Sequence, residues 1–217
     1  MGSACKAMLF DLDGTLVDTL ADLANAMNYG LRKYGLAEHS VAACRPMIGN
    51  GVETFALRAV GAGNEQLRDK VLAAMREYYA ANWKANSRVY PGMAETVEKL
   101  RDRGIRLAVV TNKDHDAARE MVEYFFGKGA FAVIAGTDEQ GRVKPDPASS
   151  LAVAKSLGVS TEECVFVGDS DVDIETAKAA GMRSVGVTWG FRPREVLENA
   201  GADVIVDTPG EILYVAA

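Results

Sequence analysis

Six short, β-branched apolar runs separated by amphipathic stretches predict an α/β protein with a doubly wound parallel sheet, interrupted by one inserted helical block. The first observation is the runs themselves: "AMLFDLD" (7–13), "IRLAVVTN" (105–112), "FAVIAG" (131–136), "CVFVGD" (164–169), "RSVGVT" (183–188) and "ADVIVD" (202–207). They are nearly continuous in apolar character, as strands buried on both faces must be. The second is what separates the later runs, which has helical length and spacing. The third is residues 18–87, which contain no convincing strand.

Taken in order, the first run ends at two carboxylates, Asp11 and Asp13, and turns at Gly14. The block that follows holds about four helical segments. Its first carries Leu20, Leu23, Ala24, Met27 and Leu31, and its last carries Leu67, Val71, Leu72, Met75, Tyr78, Tyr79 and Trp83. That aromatic and methionine stripe is core packing. Sheet rhythm resumes near residue 88. In "MAETVEKLRDRG" the residues Met93, Val97 and Leu100 recur at helical spacing before Gly104 ends the helix. "PASSLAVAKSLG" (147–158) reads as a second such helix. The expected domains are therefore 1–17 with 88–217 as an α/β core of about six strands, Rossmann-like in layout, and 18–87 as a small helical insert. Ligands of open α/β sheets bind beyond the carboxyl ends of the strands. An insert growing out of the first strand's carboxyl end is expected to sit over that edge as a lid.

Bulk properties remove several function classes. The net charge is −6 over 217 residues, with no Lys/Arg cluster, which argues against a nucleic-acid partner. No run approaches the roughly 18 consecutive apolar residues of a membrane helix, and "MGSACKAMLF" lacks the apolar core of a secretory signal. Three scattered cysteines, Cys5, Cys44 and Cys164, form neither a disulfide framework nor a zinc site. Cys164 reads as a small buried hydrophobe. A cytoplasmic protein without a membrane or nucleic-acid partner is expected. An acidic protein that handles anions must concentrate positive charge locally, and a divalent cation does so.

In a parallel sheet all carboxyl ends lie on one edge, so the polar clusters there can be combined. The run ending at 110 delivers Thr111, Asn112 and Lys113, and the run ending at 167 delivers Asp169, Ser170, Asp171 and Asp173. Between them "RVKPDP" places Lys144 at the approach to a helix. Carboxylates are hard ligands, and magnesium prefers one or two of them together with waters and phosphate oxygens. Asp11 and Asp169 can hold one such ion. The turn at Gly14 lets the Asp13 side chain lean toward a substrate while its carbonyl faces the metal. Thr111, Asn112 and Lys144 can bind the remaining phosphate oxygens. The bland alternatives are an ordinary turn at 11–14 and helix capping by Thr111, Asn112 or Asp169.

"DLDGT" (11–15), "TN" (111–112), "KPDP" (144–147) and "GDSDVD" (168–173), in this order and at strand ends, resemble the four motifs of the haloacid dehalogenase-like hydrolase superfamily. The resemblance covers essentially the whole chain. Within the superfamily, "IGNGVETFALRAVG" (48–61), "VYPGM" (89–93) and "VTWGF" (187–191) are similar to phosphoglycolate phosphatases. The resemblance implies a magnesium-dependent phosphatase acting on a small phosphorylated metabolite, with 2-phosphoglycolate favoured. Asp11 would be the nucleophile that forms an aspartyl-phosphate, and Asp13 the acid and then the base. Asp11, the Asp13 carbonyl and Asp169 would hold Mg2+, and Thr111, Asn112 and Lys144 would bind the transferring phosphoryl group. Asp173 is left between direct ligand and partner of the ligands. The insert would be a mobile cap, with Arg45 and Asn50 as candidates for reading the non-phosphate end of the substrate.

Rival readings differ at single positions. Phosphomutase relatives carry an acidic residue where this chain has Gly168, and a dehalogenase lacks the second aspartate that is present here as Asp13. A pyrophosphatase of the same cap class stays open, as does a receiver-like module phosphorylated on aspartate, which would have no helical insert. Lys113 either pairs with a site carboxylate or faces water. Asp171, one residue out of register, is expected to face solvent, His115 to lie on the surface, and His39 to be solvated in a loop. No motif addresses the oligomeric state.

Overall fold

The computed structural model describes residues 4–137 and 143–216. In chain order, β1 (Ala7–Phe10) runs into a turn, and β2 (Val17–Asp18) leads to α1 (Leu20–Lys33), α2 (Val41–Cys44), α3 (Val52–Val60) and α4 (Arg68–Asn82). The short β3 (Arg88–Val89) then precedes α5 (Met93–Asp102), β4 (Arg106–Asp114), α6 (His115–Phe126) and β5 (Val133–Thr137). After these come α7 (Ala148–Leu157), β6 (Cys164–Gly168), α8 (Asp171–Ala180), β7 (Arg183–Val187), α9 (Arg194–Ala200), β8 (Val204–Val206) and α10 (Ile212–Val215). The chain divides into two compact units, Met1–Leu16 with Val89–Ala217, and Val17–Arg88.

The larger unit is built on a six-stranded sheet in the order β5-β4-β1-β6-β7-β8. Every pairing is parallel, with Ala7–Phe10 matched to Arg106–Val109 on one side and to Cys164–Val167 on the other. β1 lies between the strands that follow it in opposite directions, so the point where strand order reverses falls beside it. All four residues of β1 are fully buried, which explains the run of apolar residues without alternation. One face packs Leu9, Val110 and Phe166 against Val153, Ala154, Ala177 and Ala180 of α7 and α8. Phe10, on the opposite face, meets Phe131 edge-on at 6.2 Å. Large buried side chains such as Phe10 and Phe166 each stabilise the fold by about 1.5–3 kcal/mol relative to exposure.

The smaller unit is helical, and α1 and α4 bury the stripes read from sequence, including Leu23, Met27, Leu31, Val71, Leu72 and Met75. Its two chain ends are tied by Asp22, buried in the first turn of α1. The Asp22 carboxylate accepts hydrogen bonds from Asn86 N–H (2.9 Å), Asn86 Nδ2 (2.7 Å), Ser87 N–H (2.8 Å) and Ser87 Oγ (2.8 Å).

The structure differs from the sequence reading in three places. Asp18 and Arg88 belong to two-residue strands that pair as a ribbon, and segments this short carry no periodicity. β4 runs on to Asp114, past the expected end at Asn112, with an irregular register. His39 is not simply solvated. Its Nε2 lies 2.8 Å from the Ala59 carbonyl, and its backbone exchanges hydrogen bonds with the Asn28 side chain.

Candidate active site

Asp11 follows β1 directly, and its N–H donates to the Val167 carbonyl at 2.9 Å. The side chain is buried, and its Oδ1 lies 2.8 Å from Lys144 Nζ. Burial pushes the Asp11 carboxyl up, the Lys144 charge pulls it back and Asp173 raises it again, leaving it at about 6. Lys144 Nζ also lies 2.7 Å from Asp173 Oδ1. Burial alone would favour the neutral amine, but the two carboxylates outweigh it and hold the ammonium above its ordinary value. The other Asp173 oxygen accepts from the Ser170 N–H (3.1 Å) and hydroxyl (2.7 Å). One side chain thus fixes the start of α8 and holds the lysine.

Asp169 emerges where β6 ends. Its Oδ1 accepts from the Thr15 hydroxyl (3.1 Å) and its Oδ2 from the Phe191 N–H (2.6 Å). Burial first, then Asp173 and Asp11, push it up to about 8. Its neighbours have to be small. A Cβ on Gly14 would lie 2.6 Å from Asp169 Oδ2, and one on Gly190 would meet the Asp169 side chain. Gly14 also has a φ of +91°, which glycine adopts without strain.

Carboxylate oxygens of Asp11, Asp169 and Asp173 lie within 4.8 Å of one another. Lys144 offsets only part of that charge, so a surplus of hard, buried oxygen donors remains. This donor set fits a divalent cation.

Asp13 stands apart from the three. Its two oxygens lie 3.1 Å and 3.2 Å from Lys113 Nζ, in an ion pair that is mostly shielded from solvent. Lys113 therefore pairs with a site carboxylate rather than facing water. Thr111 is buried at the same edge, and its Oγ1 accepts from the Lys113 N–H at 3.3 Å. Helix α6 starts only after Asp114, so neither Thr111 nor Asn112 caps it. Asn112 departs from the expectation of a side chain free for phosphate. Its Oδ1 accepts from the Lys144 N–H (2.7 Å) and its Nδ2 donates to the Lys144 carbonyl (3.1 Å). A carboxamide matches a backbone N–H and C=O pair in geometry, and here it fixes the loop that carries Lys144.

Six sequence-derived candidates, Asp11, Asp13, Thr111, Asn112, Lys144 and Asp169, thus lie within one connected set at the ends of β1, β4 and β6 and on the loop before α7. Arg45 and Asn50 belong to the helical unit. Arg45 is exposed, and Asn50 Oδ1 accepts from Arg58 Nη2 at 2.9 Å. His115 is exposed, and Asp171 is half-exposed with Arg192 at 3.7 Å. Sequence reasoning missed the supports of Asp169, namely Thr15 and the Phe191 N–H, and the Trp189 Nε1 donation to the Thr15 carbonyl (3.1 Å). Thr15 and Trp189 lie in motifs already singled out, whereas a backbone N–H has no sequence signature.

Comparison with known proteins agrees with this layout. A family model described as haloacid dehalogenase-like hydrolase matches residues 8–187. A phosphoglycolate phosphatase of Rhodospirillum rubrum is 37% identical over 210 residues, covering 93% of this chain and 87% of the relative. One from Pseudomonas putida is 32% identical over 212 residues, covering 95% of this chain and 78% of the relative. Among solved structures, a predicted phosphoglycolate phosphatase from Haemophilus somnus 129PT superposes with a TM-score of 0.92 at 32% identity, over 99% of both chains. CbbY from Rhodobacter sphaeroides, solved in complex with phosphate, does so with a TM-score of 0.80 at 26% identity, over 96% of both chains.

Proposed function

The chain belongs to the haloacid dehalogenase-like hydrolase family, and from that membership we propose that its site hydrolyses 2-phosphoglycolate to glycolate and phosphate through an aspartyl-phosphate on Asp11. Phosphatase chemistry on a small phosphomonoester is what the family and its relatives share. The observation that carries the reading is the placement of Asp11. It is a buried carboxylate at the end of the central strand, 2.8 Å from a lysine, with a second aspartate two positions on and outside the acidic cluster.

In the proposed sequence an Asp11 oxygen attacks phosphorus, and the bond from phosphorus to the substrate oxygen breaks. Asp13 donates a proton to that oxygen, giving the free alcohol. Asp13, now a carboxylate, takes a proton from water as the water oxygen attacks phosphorus. The bond to Asp11 breaks, and phosphate leaves. Lys144 and Thr111 bind the phosphoryl oxygens by charge-assisted and neutral hydrogen bonds, while Asn112 keeps Lys144 in place. Asp173 holds Lys144 from the other side, and its second oxygen takes the Ser170 hydroxyl. Asp11, the Asp13 carbonyl and Asp169 would hold Mg2+, which when bound supplies the positive charge that lets a carboxylate approach a phosphate dianion.

By the same family membership residues 18–87 would be the mobile cap, with Arg45 and Asn50 as the candidates for reading the glycolate end. Among the described residues no helix is long and apolar enough to cross a membrane. The test is steady-state phosphate release with magnesium, comparing 2-phosphoglycolate with other small phosphomonoesters, pyrophosphate and β-glucose 1-phosphate, with Asp11→Asn as the blank. A clear preference for 2-phosphoglycolate in kcat/KM, lost in the variant, is expected. Preference for another ester would discard the named substrate, and release by Asp11→Asn at the native rate would discard the nucleophile.

A further inference from the structure

We infer that Lys113 is the positioning residue for Asp13, seated by a bulge in β4 for which Gly136 leaves room. The inference rests on the reading of Asp13 as acid and base. β4 and β5 pair in register as far as Val110 opposite Ala135, and pairing resumes with Asp114 opposite Thr137. β4 therefore holds Thr111, Asn112 and Lys113 where β5 has only Gly136. Extra residues of this kind re-aim side chains, and here the Lys113 side chain meets Asp13.

Gly136 is the surface on which the bulge leans. A Cβ there would lie 2.6 Å from the Lys113 carbonyl oxygen and 2.6 Å from His115 Cα. The Thr111 hydroxyl oxygen, accepting from the Lys113 N–H, ties the bulge internally. The Lys113 side chain then spans to Asp13 and reaches both carboxylate oxygens at 3.1 Å and 3.2 Å, with 7% of its surface exposed.

The position of this pair separates it from an ordinary stabilising contact. Asp13 precedes the turn at Gly14, so two side-chain torsions must be fixed before its carboxyl can serve one particular substrate oxygen. A lysine on both oxygens fixes both. Lys144 cannot do so, because Asp11 and Asp173 already hold it. The two site lysines thus have separate tasks, one on the nucleophile and one on the proton donor.

A general acid is needed when the departing oxygen is an alkoxide and is nearly dispensable for p-nitrophenolate. The experiment therefore compares kcat/KM, which reports transfer to Asp11, for 2-phosphoglycolate (or the best alkyl phosphate found) and p-nitrophenyl phosphate, with magnesium. Lys113→Met is expected to lower the alkyl value about 10–100-fold, while the nitrophenyl value falls less than about threefold. Lys113→Arg recovers most of the loss. The ratio is taken within one variant, so it does not depend on the fraction folded, and Lys113→Gln replaces the methionine variant if that one is insoluble. Equal losses on both substrates, or none, overturn the inference. Asp13→Asn separates the two levels. If it shows the selective loss and Lys113→Met does not, only the inference falls. If Asp13→Asn shows no selectivity, the acid–base reading falls and takes the inference with it.

Discussion

A Cβ on Gly168 would fall inside the side chain of Asp173. The last residue of β6 and the first turn of α8 are that close because Asp173 must reach back to both Ser170 and Lys144. An acidic side chain at 168, as in the phosphomutase relatives, has no space unless Asp173 gives up one of these partners. Gly168→Ala should therefore cost about 1–3 kcal/mol by overpacking and reduce phosphate release as Lys144 shifts. Denaturant unfolding and kcat/KM check this, and a variant with native values for both would remove the steric argument.

Lys144 has a charge partner on each side and lies at the centre of the site. Lys144→Met leaves the carboxylates of Asp11 and Asp173 buried without their cation, which should destabilise the protein by about 3–5 kcal/mol. Loss of a cationic donor to the transferring phosphoryl group should also lower kcat by about 10²–10³-fold. Urea titration alongside steady-state kinetics measures both, and native turnover in a folded variant would contradict the role assigned to Lys144.

Magnesium should stabilise the protein more at alkaline than at acid pH. Asp169 is held at about 8 in the folded chain without metal, against roughly 3.9 for a free aspartate. A folded value above the unfolded one means stability that is fully present below the unfolded value and lost as pH rises through the folded one. Metal binding needs the deprotonated carboxylates, so magnesium offsets that loss where it is largest. Thermal melts with and without magnesium, near pH 5.5 and near pH 8.5, should show the greater gain in Tm at the higher pH; equal gains would speak against the acidic cluster as the metal site.

Asp22 tests the smaller unit independently of the chemistry. Its carboxylate takes N–H and side-chain donors from both Asn86 and Ser87, and hydrogen bonds to a charged group contribute about 1.5–3 kcal/mol each. Asp22→Ala should cost about 3 kcal/mol or more and speed proteolysis near residue 86. A variant cleaved no faster than the native chain would show that these bonds are not what fixes that segment.

Much of this was legible beforehand because it rests on patterns that a chain cannot hide. Strands buried on both faces must be apolar throughout, so all six runs named the sheet, and Asp11, Thr111, Lys144 and Asp169 followed from strand ends sharing an edge. What escaped was geometry without periodicity. The bulge after Val110 is set by Gly136 on the neighbouring strand, far along the chain, and nothing local in "TNKD" announces it. The same bulge decides that Lys113 finds Asp13. Asn112 looked like a phosphate ligand because its type suits one, yet the same carboxamide suits a backbone peptide equally well, and the cradle around Asp169 relies on a main-chain N–H that any residue could supply.

The sheet order also sets a timetable. β1 is made before both of its neighbours in the sheet, β4 and β6, which follow only after the helical unit. Until β6 and the start of α8 have cleared the exit tunnel, Asp11 has neither Asp169 nor Asp173 beside it, and its charge stays in water. The helical unit, encoded between β1 and β4, can fold in that interval. A nascent chain stalled before residue 164 would thus hold the whole helical segment but lack both Asp169 and Asp173.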